Sequence, residues 1–148
     1  MNYSEIKNYK GLIFDLDGTL INSMPYHALA WKQVAYEHGF DIDVNDIYAM
    51  GGSASRDIAA FYKNKGEPVG DIDEYVKRKI DIFQENIPKI EVFQKIFNEL
   101  KEAKSLGIRI AIGTGTRTAN ATRILKEKDL FDYIDALVTA DDVTRHKP

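Results

Sequence analysis

Apolar positions along this chain fall into two periods. Short runs, Leu12-Ile13-Phe14 and Ile108-Arg109-Ile110-Ala111-Ile112, have strand character, while longer stretches repeat their apolar residues at helical steps of three and four. After a polar lead-in over residues 1–9, a strand is predicted over roughly 11–15. A helix follows from Asn22 or Ser23, with Pro25 in its first turn and Leu29, Trp31, Val34 and Ala35 on its apolar side, and Gly39 stops it. Further helices are predicted at about 43–49, from Ser53 or Ser55 to Gly66, and from Asp71 to Pro88. The last carries Ile72, Tyr75, Val76, Ile80, Phe83 and Ile87 on one face. The next helix is predicted from about Glu91, with Val92, Phe93, Ile96, Phe97 and Leu100 on its apolar side. A strand over 108–112, a helix over 118–128, a strand over 133–138 and a closing loop complete the chain.

Strands that alternate with helices predict an α/β fold with a parallel sheet. The all-helical stretch over 22–88 is too long for one crossover. It predicts an inserted helical cap subdomain dividing a Rossmann-like core into residues 1–21 and 89–148.

Composition narrows the function classes. The 148 residues are 44% hydrophobic and 29% charged, with a net charge of −3, which suits one ordinary domain with a subdomain and offers nothing to a nucleic acid. The absence of cysteine excludes disulfides, thiolate metal sites and thiol nucleophiles. No apolar run approaches the ~20 residues of a membrane span, and the first residues lack the apolar core of a signal peptide, so the expectation is a cytoplasmic protein without a membrane partner.

The candidate chemistry begins where the first strand stops, at Asp15-Leu16-Asp17-Gly18-Thr19. Ligands of open α/β sheets sit at the carboxyl ends of strands. An EF-hand loop would need a third oxygen ligand before the glycine and a later glutamate, and neither is present; a plain Asp-Gly turn remains the structural alternative. Two carboxylates at i and i+2 suit phosphoryl transfer through a covalent aspartyl phosphate, one attacking phosphorus and the other carrying the proton. Gly113-Thr114-Gly115-Thr116, between a strand and a helix N-terminus, offers backbone N–H groups, hydroxyls and the positive helix end to an anion.

These motifs together resemble the haloacid dehalogenase superfamily of phosphotransferases, in its β-phosphoglucomutase-like branch and nearest its fructose-1-phosphate phosphatases. The likeness runs from Gly11 to Pro148 and rests on Asp15-Leu16-Asp17-Gly18-Thr19, on Thr114, and on Lys147-Pro148 in the context Thr139-Ala140-Asp141-Asp142-Val143. It implies Asp15 as nucleophile and Asp17 as acid/base. It also implies magnesium held by the Asp15 carboxylate and the Asp17 backbone carbonyl, offsetting repulsion between anionic nucleophile and anionic phosphate. Thr114 would hold a phosphate oxygen through its hydroxyl and Gly115 through its N–H, with Thr116 and Arg117 near the substrate. Lys147 would balance charge on the transferring group. Arg117 alone reads as a surface charge, and Asp141 and Asp142 as loop or capping residues. Arg56, beside Gly51-Gly52-Ser53, lies where the family has a substrate-specificity loop; His27 and Trp31 match cap-proximal positions of the mutases, with Trp31 equally suited to an ordinary core.

The resemblance implies a small phosphorylated metabolite as substrate, with hydrolysis as the reaction and fructose 1-phosphate as the leading substrate. The alternatives are a phosphosugar mutase or an inactive phosphate-binding homologue. The family pattern continues past Lys-Pro into a fourth motif with acidic magnesium ligands, which this sequence does not contain. A chain truncated after the third motif is therefore expected to bind magnesium weakly. It is also expected to leave the first strand at a sheet edge, where it favours self-association.

Overall fold

The computed structural model describes residue 6 and residues 8–145. Its contacts divide into two compact units. One holds the residues up to Asn22 together with Glu91–Arg145, and the other holds Ser23–Ile90.

In the first unit, β1 (Gly11–Phe14), β2 (Arg109–Gly113) and β3 (Ala136–Val138) form a parallel sheet in the order β1-β2-β3. The register sets Leu12 against Ile110, Phe14 against Ile112, and Ile112 against Leu137. Parallel strands cannot be joined by a tight hairpin, and each neighbouring pair here is connected through helical segments. The central strand carries the core: Ile110 and Ile112 are fully buried, together with Leu100 and Ala103 of α5 (Gln94–Ser105) and Ile124 and Leu125 of α6 (Thr118–Glu127). Each isoleucine and leucine among them contributes about 1.5–3 kcal/mol by leaving water. Among the described residues β1 has a single strand neighbour, and Ile13 stands 82% exposed.

Boundaries in this unit differ from those the sequence pattern predicts at several points; β2, for one, runs one residue later, over Arg109–Gly113. β1 ends at Phe14, so Asp15 belongs to the loop. Val92 and Phe93 precede the helix they were expected to start. The Asn22 N–H donates to the Glu91 carbonyl at 2.8 Å, the Phe93 N–H to the Leu20 carbonyl at 2.9 Å, and Ile21 bridges Val92 in antiparallel fashion, which holds this stretch extended. β3 starts three residues later than expected, because Phe131–Tyr133 coil into a 3-10 turn. Asp135 then ties that turn to β2: its carboxylate accepts the Ile110 N–H at 2.7 Å and pairs with Lys104 at 2.5 Å.

The second unit is helical: α1 (Met24–Glu37), α2 (Val44–Ala49), α3 (Ser55–Asn64) and α4 (Ile72–Asn86). Helix α1 stops where Gly39 takes φ +85°, a conformation that costs glycine nothing, and the Phe40 N–H closes back on the Ala35 carbonyl at 3.1 Å. The Asp71 carboxylate accepts the N–H groups of Asp73 and Glu74, which caps α4. α1 packs on α4, with Ala28, Trp31, Val34 and Ala35 buried on one side and Tyr75, Ile82 and Phe83 on the other, while Leu29, expected on that apolar side, is exposed. A bidentate pair from Arg78 to Glu37, both bonds 2.8 Å, lies beside that seam.

Candidate active site

The loop that follows β1 is fixed by its apolar residues. Leu16, Leu20 and Ile21 are fully buried, and the Leu16 carbonyl collects the N–H groups of Thr19, Leu20 and Ile21 at 3.0–3.3 Å. Gly18 turns with φ +76° and its N–H reaches the Ile21 carbonyl at 2.9 Å. Asp15 and Asp17 flank the Leu16 anchor. The Asp15 Oδ1 atom accepts the Leu16 N–H at 2.9 Å, a local bond that orients the carboxylate at the strand's carboxyl end.

Asp17 is the meeting point of two strand ends. Its Oδ2 atom accepts the Thr116 hydroxyl at 2.6 Å and the Thr114 hydroxyl at 3.2 Å, while the Thr116 N–H donates to Thr114 Oγ1 at 3.0 Å. Thr114, only 6% exposed, is anchored to β3 through its N–H and the Val138 carbonyl at 2.9 Å. Gly115 lies exposed between the two threonines. The structure therefore gathers Asp17, Thr114 and Thr116, three residues singled out from sequence nearly one hundred positions apart, within one hydrogen-bonded group.

The loop after β3 completes the neighbourhood. The Thr116 carbonyl accepts the Ala140 N–H at 3.2 Å. One Asp141 oxygen accepts the Thr118 N–H at 2.9 Å, and the other accepts Arg117 Nε at 3.1 Å. The carboxylate seated at the start of α6 is thus the protein's own, and the helix end expected to serve a bound anion is already engaged there. The Thr118 N–H, followed by Thr118's hydroxyl and the Arg117 charge, holds the Asp141 carboxyl below the usual carboxylate range. Asp142 is lowered in turn by the hydroxyl and N–H of Thr139, which form a capping box with it.

Lys147, with His146 and Pro148, lies outside the described residues. Among the described residues no group of three or more His, Asp or Glu side chains gathers into a metal site. The Asp15 carboxylate and the Asp17 carbonyl are hard oxygen donors of the kind magnesium takes, and two such donors leave most of an octahedral shell to water and substrate.

In the helical unit, Trp31 is buried core and Arg56 pairs with Asp73, so neither stands alone as a substrate contact. His27 stacks face to face on Phe83 with ring centroids 4.0 Å apart, and its Nδ1 lies 2.8 Å from the ammonium of Lys79. Lys79 is 3% exposed and sits 5.2 Å from the Trp31 ring and 5.1 Å from that of Phe83. This buried cation was overlooked in the sequence, although the signal exists: Lys79 stands four positions after Tyr75 and four before Phe83, inside the apolar stripe of α4.

The geometry can be set beside known proteins. The sequence profile of the haloacid dehalogenase-like hydrolases matches residues 12–148. The chain belongs to that family. It is 33% identical to an uncharacterized protein of Haemophilus influenzae, across all of this chain and 74% of that one. It is 30% identical to the fructose-1-phosphate phosphatase of Escherichia coli, across 96% of this chain and 75% of that enzyme. Among solved structures, a β-phosphoglucomutase from Clostridium difficile shares the fold with a TM-score of 0.82 at 21% identity, over 95% of this chain and 66% of that one. The chain thus spans about two thirds to three quarters of the length of these relatives. Family membership makes it a haloacid dehalogenase-like hydrolase with a parallel α/β core. None of its described helices is long and apolar enough to cross a membrane.

Proposed function

We propose that this chain is a magnesium-dependent, cytoplasmic phosphatase of small sugar phosphates, working through a phosphoaspartate on Asp15. The observation that carries this reading is the group formed by Asp17, Thr114 and Thr116 at the carboxyl ends of β1 and β2, two residues beyond Asp15. A carboxylate there suits proton transfer, and hydroxyls beside it suit the phosphate.

In the proposed reaction a carboxylate oxygen of Asp15 forms a bond to phosphorus as the phosphorus–oxygen ester bond breaks. Asp17 gives its proton to the departing alkoxide oxygen. It then takes a proton from the water that attacks the phosphoaspartate, which releases orthophosphate and restores both carboxyls. Thr114 and the Gly115 N–H hold phosphate oxygens, and Lys147 supplies positive charge. The Asp15 carboxylate and Asp17 carbonyl would hold magnesium, which when bound offsets the repulsion between nucleophile and phosphate. Fructose 1-phosphate is the proposed substrate, supported by likeness to the E. coli phosphatase.

The test is phosphate release from fructose 1-phosphate with and without magnesium, by the wild-type chain and its Asp15→Asn and Asp17→Asn variants. The expected outcome is release that vanishes in Asp15→Asn and falls by roughly 10²–10⁴-fold in Asp17→Asn. Equal release by Asp15→Asn and wild type would remove the nucleophile assignment. Likeness to the β-phosphoglucomutase of Bacillus subtilis, 28% identical over 94% of this chain and 64% of that one, supports a mutase as the second reading. A requirement for a hexose bisphosphate primer, with no net phosphate release, would select it.

A further inference from the structure

We propose that Thr116 is a positioning residue for Asp17 rather than a ligand of the substrate phosphate, and that an arriving phosphate frees Asp17 by taking the hydroxyl of Thr114. This rests on the reading of Thr114 as the phosphate-binding residue and assigns its neighbour a different task.

A threonine hydroxyl carries one proton to donate. Thr116 commits its proton to Asp17 Oδ2 at 2.6 Å, the shorter of the two bonds to that oxygen. Thr114 commits its proton to the same atom at 3.2 Å, and one of its acceptor positions receives the Thr116 N–H at 3.0 Å. The two threonines and Asp17 therefore close a ring of three hydrogen bonds. A phosphate oxygen reaching Thr114 has to take a proton already given to Asp17.

The two bonds to Asp17 are unequal, and the difference sets the order of events. The longer one yields first. A phosphate oxygen and an Asp17 oxygen cannot both take the single Thr114 proton. Thr116 keeps its grip through the shorter bond and serves as the pivot on which the carboxyl swings clear. Asp17 is thereby moved only after phosphate has arrived, and recognition of the phosphoryl group is coupled to the placement of the proton carrier. The backbone supports this division. The Thr116 carbonyl is tied to the Ala140 N–H and the Thr114 N–H to the Val138 carbonyl, so the main chain at each threonine is held by the segment from the end of β3.

The experiment is calorimetric titration of the intact chain with orthophosphate, for wild type, Thr116→Val, Thr116→Ser and Thr114→Val, each checked for folding by circular dichroism. Thr116→Ala removes the same hydroxyl and replaces Thr116→Val should the latter not fold. The Thr116 hydroxyl is given to Asp17 and not to phosphate, so its loss removes no phosphate contact. Thr116→Val is therefore expected to bind orthophosphate about as tightly as wild type while releasing phosphate from fructose 1-phosphate more slowly, Asp17 having lost its pivot. Thr116→Ser should behave as wild type, and Thr114→Val should bind more weakly. Weakening of about ten-fold in Thr116→Val, restored by serine, would show Thr116 gripping phosphate and overturn this proposal while leaving the phosphatase reading intact. Absence of orthophosphate binding in wild type, or unchanged binding in Thr114→Val, would overturn both.

Discussion

Asp141 shows how one residue in a loop ties two strand ends together, those of β2 and β3. Its carboxylate accepts a backbone N–H at the start of α6 and a guanidinium N–H from Arg117, so it satisfies a donor the helix cannot satisfy itself. Removing such a cap costs roughly 0.5–2 kcal/mol, and solvent exposure of this pair places Asp141→Ala at about 0.5–1 kcal/mol at neutral pH. The sign of its pH dependence follows from the lowered carboxyl pKa. Stabilisation is present above the unfolded value of about 3.9 and is lost as pH falls through the lower folded value. Urea unfolding of wild type and Asp141→Ala at pH 7 and pH 3 checks this. The stability gap should narrow at pH 3, and a gap independent of pH would leave the carboxylate charge without a role.

At the scale of elements, what could be read in advance was whatever local chemistry decides. Asp71 announces the start of α4 because its side chain has two nearby N–H groups to cap, and Gly39 ends α1 because the chain there needs a positive φ. The approach of Asp17 to the Thr114-Gly115-Thr116 turn was legible as two motifs at strand ends; their hydrogen bonds were not, since the spacing of a motif carries no distances. Val92 and Phe93 defeated the helical pattern because their partners, Ile21 and Leu20, lie about seventy residues earlier. Lys79 escaped notice for a related reason. A lysine in an apolar stripe looks solvated until Trp31, Phe83 and His27 close over it. Burial of that charge predicts a contrast between substitutions. Lys79→Met keeps an unbranched chain among the rings and should leave the melting temperature unchanged or raised. Lys79→Ala empties the space and should cost roughly 2–5 kcal/mol. Thermal melts followed by circular dichroism separate the two, and a methionine variant as unstable as the alanine one would make the ammonium itself the stabilising group.

For the molecule as a whole the decisive feature is the outer edge of β1. Parallel strands are ordinarily covered on both faces, yet Ile13 is 82% exposed on a strand that, among the described residues, pairs only with β2. An edge open among the described residues is able to template pairing with another chain, and a two-fold arrangement would join two copies edge to edge. The same strand leads into Asp15, so pairing there would change the flexibility of the loop that carries the proposed nucleophile. Self-association should appear as an average mass that rises with concentration in sedimentation or static light scattering. Ile13→Lys places a charge on the strand without disturbing a buried side chain, and natural edges use lysine in this way. That variant should remain folded and return the mass to that of a monomer. A wild-type chain that stays monomeric across the accessible concentrations would show that the edge is shielded without a second copy, and β1 would then have to be stable with one paired side in water.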